Sequence, residues 1–241
     1  MSHTTENPAC GAIGVVAALP GELKPLVAGW QRLERNLWQG SLAGQTIFAI
    51  ASGMGREAAT RGVRRLLDLA AERKEPLTTL ASVGWCGALR CAVKPPEAHR
   101  VSEVIDTRTG ERFATSQPQG LRLVTLDHVA GVEEKRRLSE SYSAQLVDME
   151  AATVARLARL EALRFLCYKA ISDGATERLP DFSRFMNRQG ALNMPAFLGH
   201  VALRPRHWAN LARMGANSKQ AALQLARLLG EHLPLDAVLK G

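Results

Sequence analysis

Eight consecutive residues near the start of the chain, Ala12-Ile-Gly-Val-Val-Ala-Ala-Leu19, carry no polar side chain. An apolar run this short, closed by Pro20-Gly21, suits a strand covered on both faces better than a helix with one wet side. The same pattern returns at Gln45–Ala51, Thr79–Val83 and Arg164–Ile171, with Val101–Ile105 and Leu121–Leu126 as further strands. Helices are expected over Glu22–Arg35, the Ala- and Arg-rich Arg56–Arg73, Glu133–Glu140 and Met149–Leu160. Strands alternating with helices of this length predict an α/β sheet. Ligands in such sheets sit beyond the carboxyl ends of the strands. Pro20–Glu22, Ser52–Gly55, Gly84–Gly87 and Ser172–Gly174 should therefore surround one crevice.

The 241 residues, 46% hydrophobic and 22% charged, can bury a sizeable core, and wholesale disorder is excluded. No apolar run approaches the roughly 20 residues of a membrane span. Met1–Cys10 has neither the basic nor the apolar part of a secretory leader, so a cytoplasmic location is expected. Cys10, Cys86, Cys91 and Cys167 match neither zinc-ribbon nor Cys-x-x-Cys spacing and read as reduced thiols. His128, His200 and His207 share no metal-ligand spacing, and neither a metal nor an organic cofactor is expected.

After Thr176 the pattern becomes all-helical, at Ala191–His200, around His207–Met214 and at Asn217–Leu233. The chain thus divides into an α/β core, residues 1–176, and a helical extension, 177–241, packed on or completing the same domain. From Arg178 onward nine basic residues stand against three acidic ones, an excess of six out of a formal net charge of +8. Such a tail suits an anionic partner. Trp208, Leu211, Met214 and Leu223 beside Arg206, Arg213 and Arg227 fit a solvated helical pair, an amphipathic helix on a membrane surface, or a nucleic-acid contact.

Several strand-end fragments together resemble the nucleoside phosphorylase superfamily, in its branch of methylthioadenosine/S-adenosylhomocysteine nucleosidases. Gly14-Val-Val-Ala-Ala-Leu-Pro-Gly-Glu22 is similar to the opening Gly-x-x-x-Ala-Met-x-x-Glu of that family, and Ser52-Gly-Met-Gly55 to its Ser-Gly-Ile-Gly turn. Val83-Gly-Trp-Cys-Gly-Ala-Leu89, Val147-Asp-Met-Glu-Ala-Ala152 and Lys169-Ala-Ile-Ser-Asp173 resemble three more of its segments. Each is weak alone; in this order they form a specific signal over about residues 12–176. A closer resemblance is to the hopanoid-associated phosphorylase-like proteins, through Thr125–Lys135 leading into Val147–Glu150 and through the Arg- and Leu-rich tail. The resemblance implies a phosphorylase/hydrolase-like three-layer fold with a central mixed sheet, plus a C-terminal helical extension. It also implies removal of adenine from a nucleoside with a large 5′ substituent, such as adenosylhopane.

Breaking the C1′–N9 bond of a purine nucleoside passes through an oxocarbenium-like ribosyl cation, as in glycoside hydrolysis. By the resemblance, Asp173 is the general acid toward N7 of the purine, oriented by Ser172. Its place at the end of a buried strand suits that role, since a partly desolvated carboxyl keeps its proton more readily. Glu150 would accept the ribose 2′ and 3′ hydroxyls, Met149 would pack against the sugar, and Glu22 would position and deprotonate the attacking water. Ser52, Gly53, Gly84, Trp85, Cys86, Gly87 and Lys169 complete the implied substrate-binding set. The Ser52–Gly55 segment fits either an anion cradle at a helix N-terminus or a simple tight turn.

Three departures bear on mechanism. Trp85 stands where relatives carry a small Ser or Thr, which would bring a bulky ring into the anion or sugar region. Lys169 replaces an Arg, keeping charge but losing bidentate geometry. Ser82 precedes Val83 where hexameric purine phosphorylases carry a phosphate-binding Arg. Hydrolysis is thus favoured over phosphorolysis, with Arg56 as a substitute phosphate ligand if phosphate is used. The alternatives are a purine nucleoside phosphorylase, a methylthioadenosine/S-adenosylhomocysteine nucleosidase, and a catalytically silent nucleoside- or nucleic-acid-binding protein. The expected partners are an adenine nucleoside, a second copy of the chain in a homo-oligomer, and the inner face of a membrane touched by the basic tail; nucleic acid is not favoured.

Overall fold

The computed structural model describes residues 11–177 and 208–238. Strand β1 (Ala12–Ala17) lies between two parallel neighbours, β4 (Gln45–Ala51) and β5 (Leu77–Ala88). Its residues alternate between two layers, as a pleated strand requires. Ile13, Val15 and Ala17 pack with helices α1 (Pro20–Leu23) and α5 (Trp208–Val238). Ala12 and Val16 face the other way, toward α2 (Arg56–Glu72) and α4 (Ala151–Leu160). The opening run has no polar position because neither face meets water. This is a three-layer α/β fold about a mixed sheet.

β5 is the long strand that turns sheet into site. On one edge β10 (Arg164–Asp173) runs parallel to it, from Arg164 beside Thr79 to Asp173 beside Gly87. On the other edge β1 leaves after Ser82, and β9 (Leu146–Asp148) takes over antiparallel at Gly87 and Ala88. β9 pairs with β8 (Leu121–Thr125), β8 with β6 (Ala98–Asp106), and β6 with β10, so these strands and β5 close into a ring. Helix α3 (Val132–Tyr142) packs Leu138 against Leu89, Ile105, Val124, Leu126 and Val147. Two short antiparallel strands, β2 (Gln31–Glu34) and β3 (Leu37–Leu42), extend the sheet beyond β4, and β7 (Arg112–Ala114) lies on β6.

The extension contributes to the core. Ala221, Leu225, Leu229 and Leu233 of α5 are fully buried against β1, β5 and β10. Each leucine so buried is worth roughly 1.5–3 kcal/mol. Asp236 fixes the end of the same helix, accepting from the Tyr168 hydroxyl at 2.7 Å and the Gln117 amide at 2.9 Å.

Two sequence expectations need correction. The helix expected over Glu22–Arg35 ends after a single turn. Pro25 lacks the N–H that a continuing helix needs, and Gly29 at φ +82 turns the chain into β2. The strand expected over Thr79–Val83 is longer, and β5 runs on through Ala88, so that Gly84–Gly87 lies within the strand rather than at its end. The helix expected at Ala191–His200 lies outside the described residues.

Candidate active site

Glu22 sits in α1, just past β1. Its Oε2 accepts the backbone N–H groups of Ala18 (2.8 Å) and Leu19 (2.9 Å), and its Oε1 that of Trp85 (3.0 Å). The residue is only 4% exposed. Burial pushes its carboxyl above the usual carboxylate range, against the pull of those N–H groups and of Lys169. Gly84, at φ +139, is what lets β5 pass this close: a Cβ there would stand 2.8 Å from Glu22 Oε2.

Glu150 precedes α4, and its Oε1 accepts the Gly55 N–H at 2.7 Å. Beside it Asp148 is fully engaged, accepting from Thr125 Oγ1 (2.7 Å), the Ala151 N–H (3.0 Å) and Lys169 Nζ (2.8 Å). Burial, and next the Asp148 charge, push the Glu150 carboxyl up to about 8; Lys169 and the Gly55 N–H act the other way. Lys169 is 1% exposed. Its ammonium also donates to Ser82 Oγ at 3.2 Å. Burial alone would lower its pKa, but the Asp148 carboxylate holds it above the ordinary lysine range. One buried cation thus answers to Asp148, Glu150 and Glu22 together, while its direct ion pair is with Asp148.

Asp173 ends β10 and is as buried as Glu22. Ser172 Oγ donates to its Oδ1 at 2.8 Å and lies 3.3 Å from the Cys86 carbonyl oxygen. On the other side Lys135 of α3 donates to Asp173 Oδ2, and also to the Gly174 carbonyl at 2.9 Å. Asp173 is therefore met by a buried ammonium, a neighbour that the sequence did not reveal. Gly87 clears the space, since a Cβ there would be 3.0 Å from Asp173 Oδ2.

The remaining expected residues fall into place around β5. Trp85 lends its backbone N–H to Glu22, while its ring packs in the α1/α5 layer; a Cβ on Gly21 would meet that ring at 3.1 Å. The ring therefore lies on the α1 side of β5, next to the turn that carries Glu22. Ser52 and Gly53 donate their N–H groups to the carbonyls of Ala17 and Ala18, both at 2.9 Å, and Gly55 donates to Glu150. The first two N–H groups of that segment are thus held by β1 and its exit, while the N–H just ahead of α2 meets a carboxylate. The Cys86 thiol is buried and pushed well up, chiefly by that burial. Met149 is partly buried next to Glu150. Arg56 exerts its charge on Asp106 and Asp127. Among the described residues no group of acids, histidines and cysteines could hold a metal ion, and no helix is long and apolar enough to cross a membrane.

Sequence reasoning passed over Lys135 and Asp148. Lys135 carried a faint signal, standing three residues before Leu138 on the face of α3 that packs inward. Asp148 stands inside the Val147–Ala152 segment, but nothing in the sequence said that Lys169 would reach it.

This fold is that of the adenine-nucleoside nucleosidases and their close structural kin. The 5′-methylthioadenosine/S-adenosylhomocysteine nucleosidase of Helicobacter pylori superposes with a TM-score of 0.66 at 15% identity, over 94% of this chain and 99% of that one. Futalosine hydrolase of the same organism gives 0.66 at 15%, over 94% and 98%. The Streptococcus pneumoniae nucleosidase, bound to 8-aminoadenine, gives 0.65 at 19%, over 94% and 100%. A family model described as Phosphorylase superfamily matches residues 107–198. No curated protein matches the chain.

Proposed function

We propose that this chain is an enzyme that hydrolyses the N-glycosidic bond of an adenine nucleoside. Asp173 serves the leaving base, Glu150 the ribose hydroxyls and Glu22 the attacking water. The observation that carries the reading is the convergence of three carboxylates on the four residues Gly84–Gly87 of β5. Glu22 bonds to Trp85, Asp173 lies against Gly87 with Ser172 at Cys86, and β9, which leads to Glu150, pairs at Gly87. A binding protein has no need for all three. Burial raises the Glu22 carboxyl, which favours proton exchange with water.

Water is favoured over phosphate because Ser82 is tied to Lys169 and the N–H groups of Ser52 and Gly53 are spent on β1. The neighbours are by name nucleosidases and a hydrolase. A large, lipid-like 5′ substituent remains part of the proposal, resting on the resemblance of Thr125–Lys135 and of the tail. So do a homo-oligomer and contact with an anionic membrane. Since Leu225, Leu229 and Leu233 face the sheet, such a contact would use the opposite face of α5, where Leu223 and Arg227 are exposed.

Adenine release from methylthioadenosine and from a lipid-tailed adenosine, with and without phosphate, tests the reading. Equal rates in both buffers, free ribosyl product and preference for the tailed substrate are expected. A phosphate-dependent ribose-1-phosphate product would overturn hydrolysis, and no adenine release from either would overturn the whole assignment.

A further inference from the structure

Lys135 occupies a position on α3 that faces the interior, and it is 1% exposed. Burying an ammonium is costly, and an apolar side chain of similar length would fill the same space without that cost. What the lysine gains is a bond to Asp173 Oδ2, the group that must deliver a proton to the leaving purine, and one to the Gly174 carbonyl. The other oxygen of Asp173 accepts from Ser172. Among the described residues the hydrogen-bond partners of Asp173 are the Ser172 hydroxyl and this ammonium, and only the ammonium carries an ionisable proton that can pass along the bond.

We propose that Lys135 is the source of the proton that reaches the leaving base, with Asp173 as the relay. The inference rests on the nucleosidase reading above. As the C1′–N9 bond breaks, its electron pair passes into the purine ring; Lys135 gives a proton to Asp173 Oδ2 and becomes a neutral amine, and Asp173 hands that proton on to N7. Water adds to C1′ and leaves a proton on Glu22; Glu22 releases it to solvent, and solvent returns one to Lys135. Lys135 acts through Asp173, so it is a positioning residue.

The test compares Lys135→Met and Lys135→Arg with the parent enzyme on an adenine nucleoside that the parent cleaves, and on the same nucleoside methylated at N7. The methylated base already carries its charge and leaves without a proton. Both variants should lose about 100-fold or more in kcat on the unmodified nucleoside, the weight of a general acid, with KM within about threefold. Arginine should fail as methionine does, because a guanidinium keeps its charge but does not give up its proton. On the methylated nucleoside both should stay within about fivefold of the parent. Recovery of turnover by Lys135→Arg would overturn the proposal in favour of a fixed cation; equal losses on both substrates would reduce the lysine to a structural role. The arginine comparison and the split between kcat and KM are read on the unmodified nucleoside alone. Should Lys135→Met not fold, Lys135→Gln takes its place. A parent protein that releases no adenine defeats the nucleosidase reading itself, so the two failures stay distinct.

Discussion

Glu22 and Asp173 are equally buried, each 4% exposed, yet the chain meets their carboxyl oxygens by different means. Glu22 rests on backbone N–H groups, two of them only three and four residues before it. Asp173 rests on a whole positive charge brought from a helix 38 residues away in sequence. Backbone N–H groups steady a carboxylate but never protonate it. An ammonium does both. The first arrangement suits a group that must remain a base toward water, and the second suits a group that must be recharged as an acid after each turnover.

Removing the charge at Asp173 should break the comparison most severely. Asp173→Asn should lower kcat on an adenine nucleoside by about 100-fold or more. It also strands the Lys135 ammonium, and breaking a buried pair from one side costs about 3–5 kcal/mol. Denaturant unfolding should show that loss, and the double variant Lys135→Met with Asp173→Asn should recover part of it. A loss below about 1 kcal/mol would mean that the pair is not desolvated as described.

Glu22→Gln should do less. The amide keeps the length but turns one acceptor into a donor that faces a backbone N–H. A single unsatisfied buried group costs about 1–3 kcal/mol. kcat/KM should fall about 10- to 100-fold, as the water loses its base. If unfolding measurements find Glu22→Gln more damaging than Asp173→Asn, the dipole cage rather than the ion pair is the tighter of the two.

The same contrast explains what was legible in the sequence. Glu22 could be placed because its surroundings are local: an apolar strand, Pro20 starting the helical turn, and an acid two residues on. Asp173 could be placed at a strand end for the same reason, whereas Glu150 was singled out by the resemblance of Val147–Ala152, since β9 before it is only three residues long. Lys135 could not be assigned to Asp173, nor Lys169 to Asp148, because both pairings depend on the ring closed by β5, β9, β8, β6 and β10. That closure rests on β5 continuing past Gly84, beyond the Thr79–Val83 stretch that reads as strand. The glycines are there to make room for carboxylates, and this becomes visible only with the carboxylates in place. The early end of α1 was legible in principle, since Pro25 lies in the middle of the expected helix.

Glu150 offers the mildest and sharpest test, because it has neither a full cage nor a direct cation. One N–H, from Gly55, holds it, and the adjacent Asp148 charge opposes its ionisation. Its carboxyl is raised from an ordinary 4.5 to about 8, so the folded chain holds that proton more tightly than the unfolded chain does. The stability this contributes is complete below pH 4.5 and is lost as pH rises through about 8. The free protein should therefore become less stable across that interval, and Glu150→Gln should flatten the decline. Ribose hydroxyls, in contrast, need the ionised form as their acceptor. With the group at about 8, kcat/KM at pH 7 should lie about tenfold below its plateau. Bound hydroxyls favour the carboxylate, so the corresponding limb in kcat should fall at lower pH than the limb in kcat/KM. A kcat/KM profile that is flat from pH 6 to 9, with stability equally flat, would remove Glu150 from the ribose site and leave Glu22 and Asp173 as the only acids in contention.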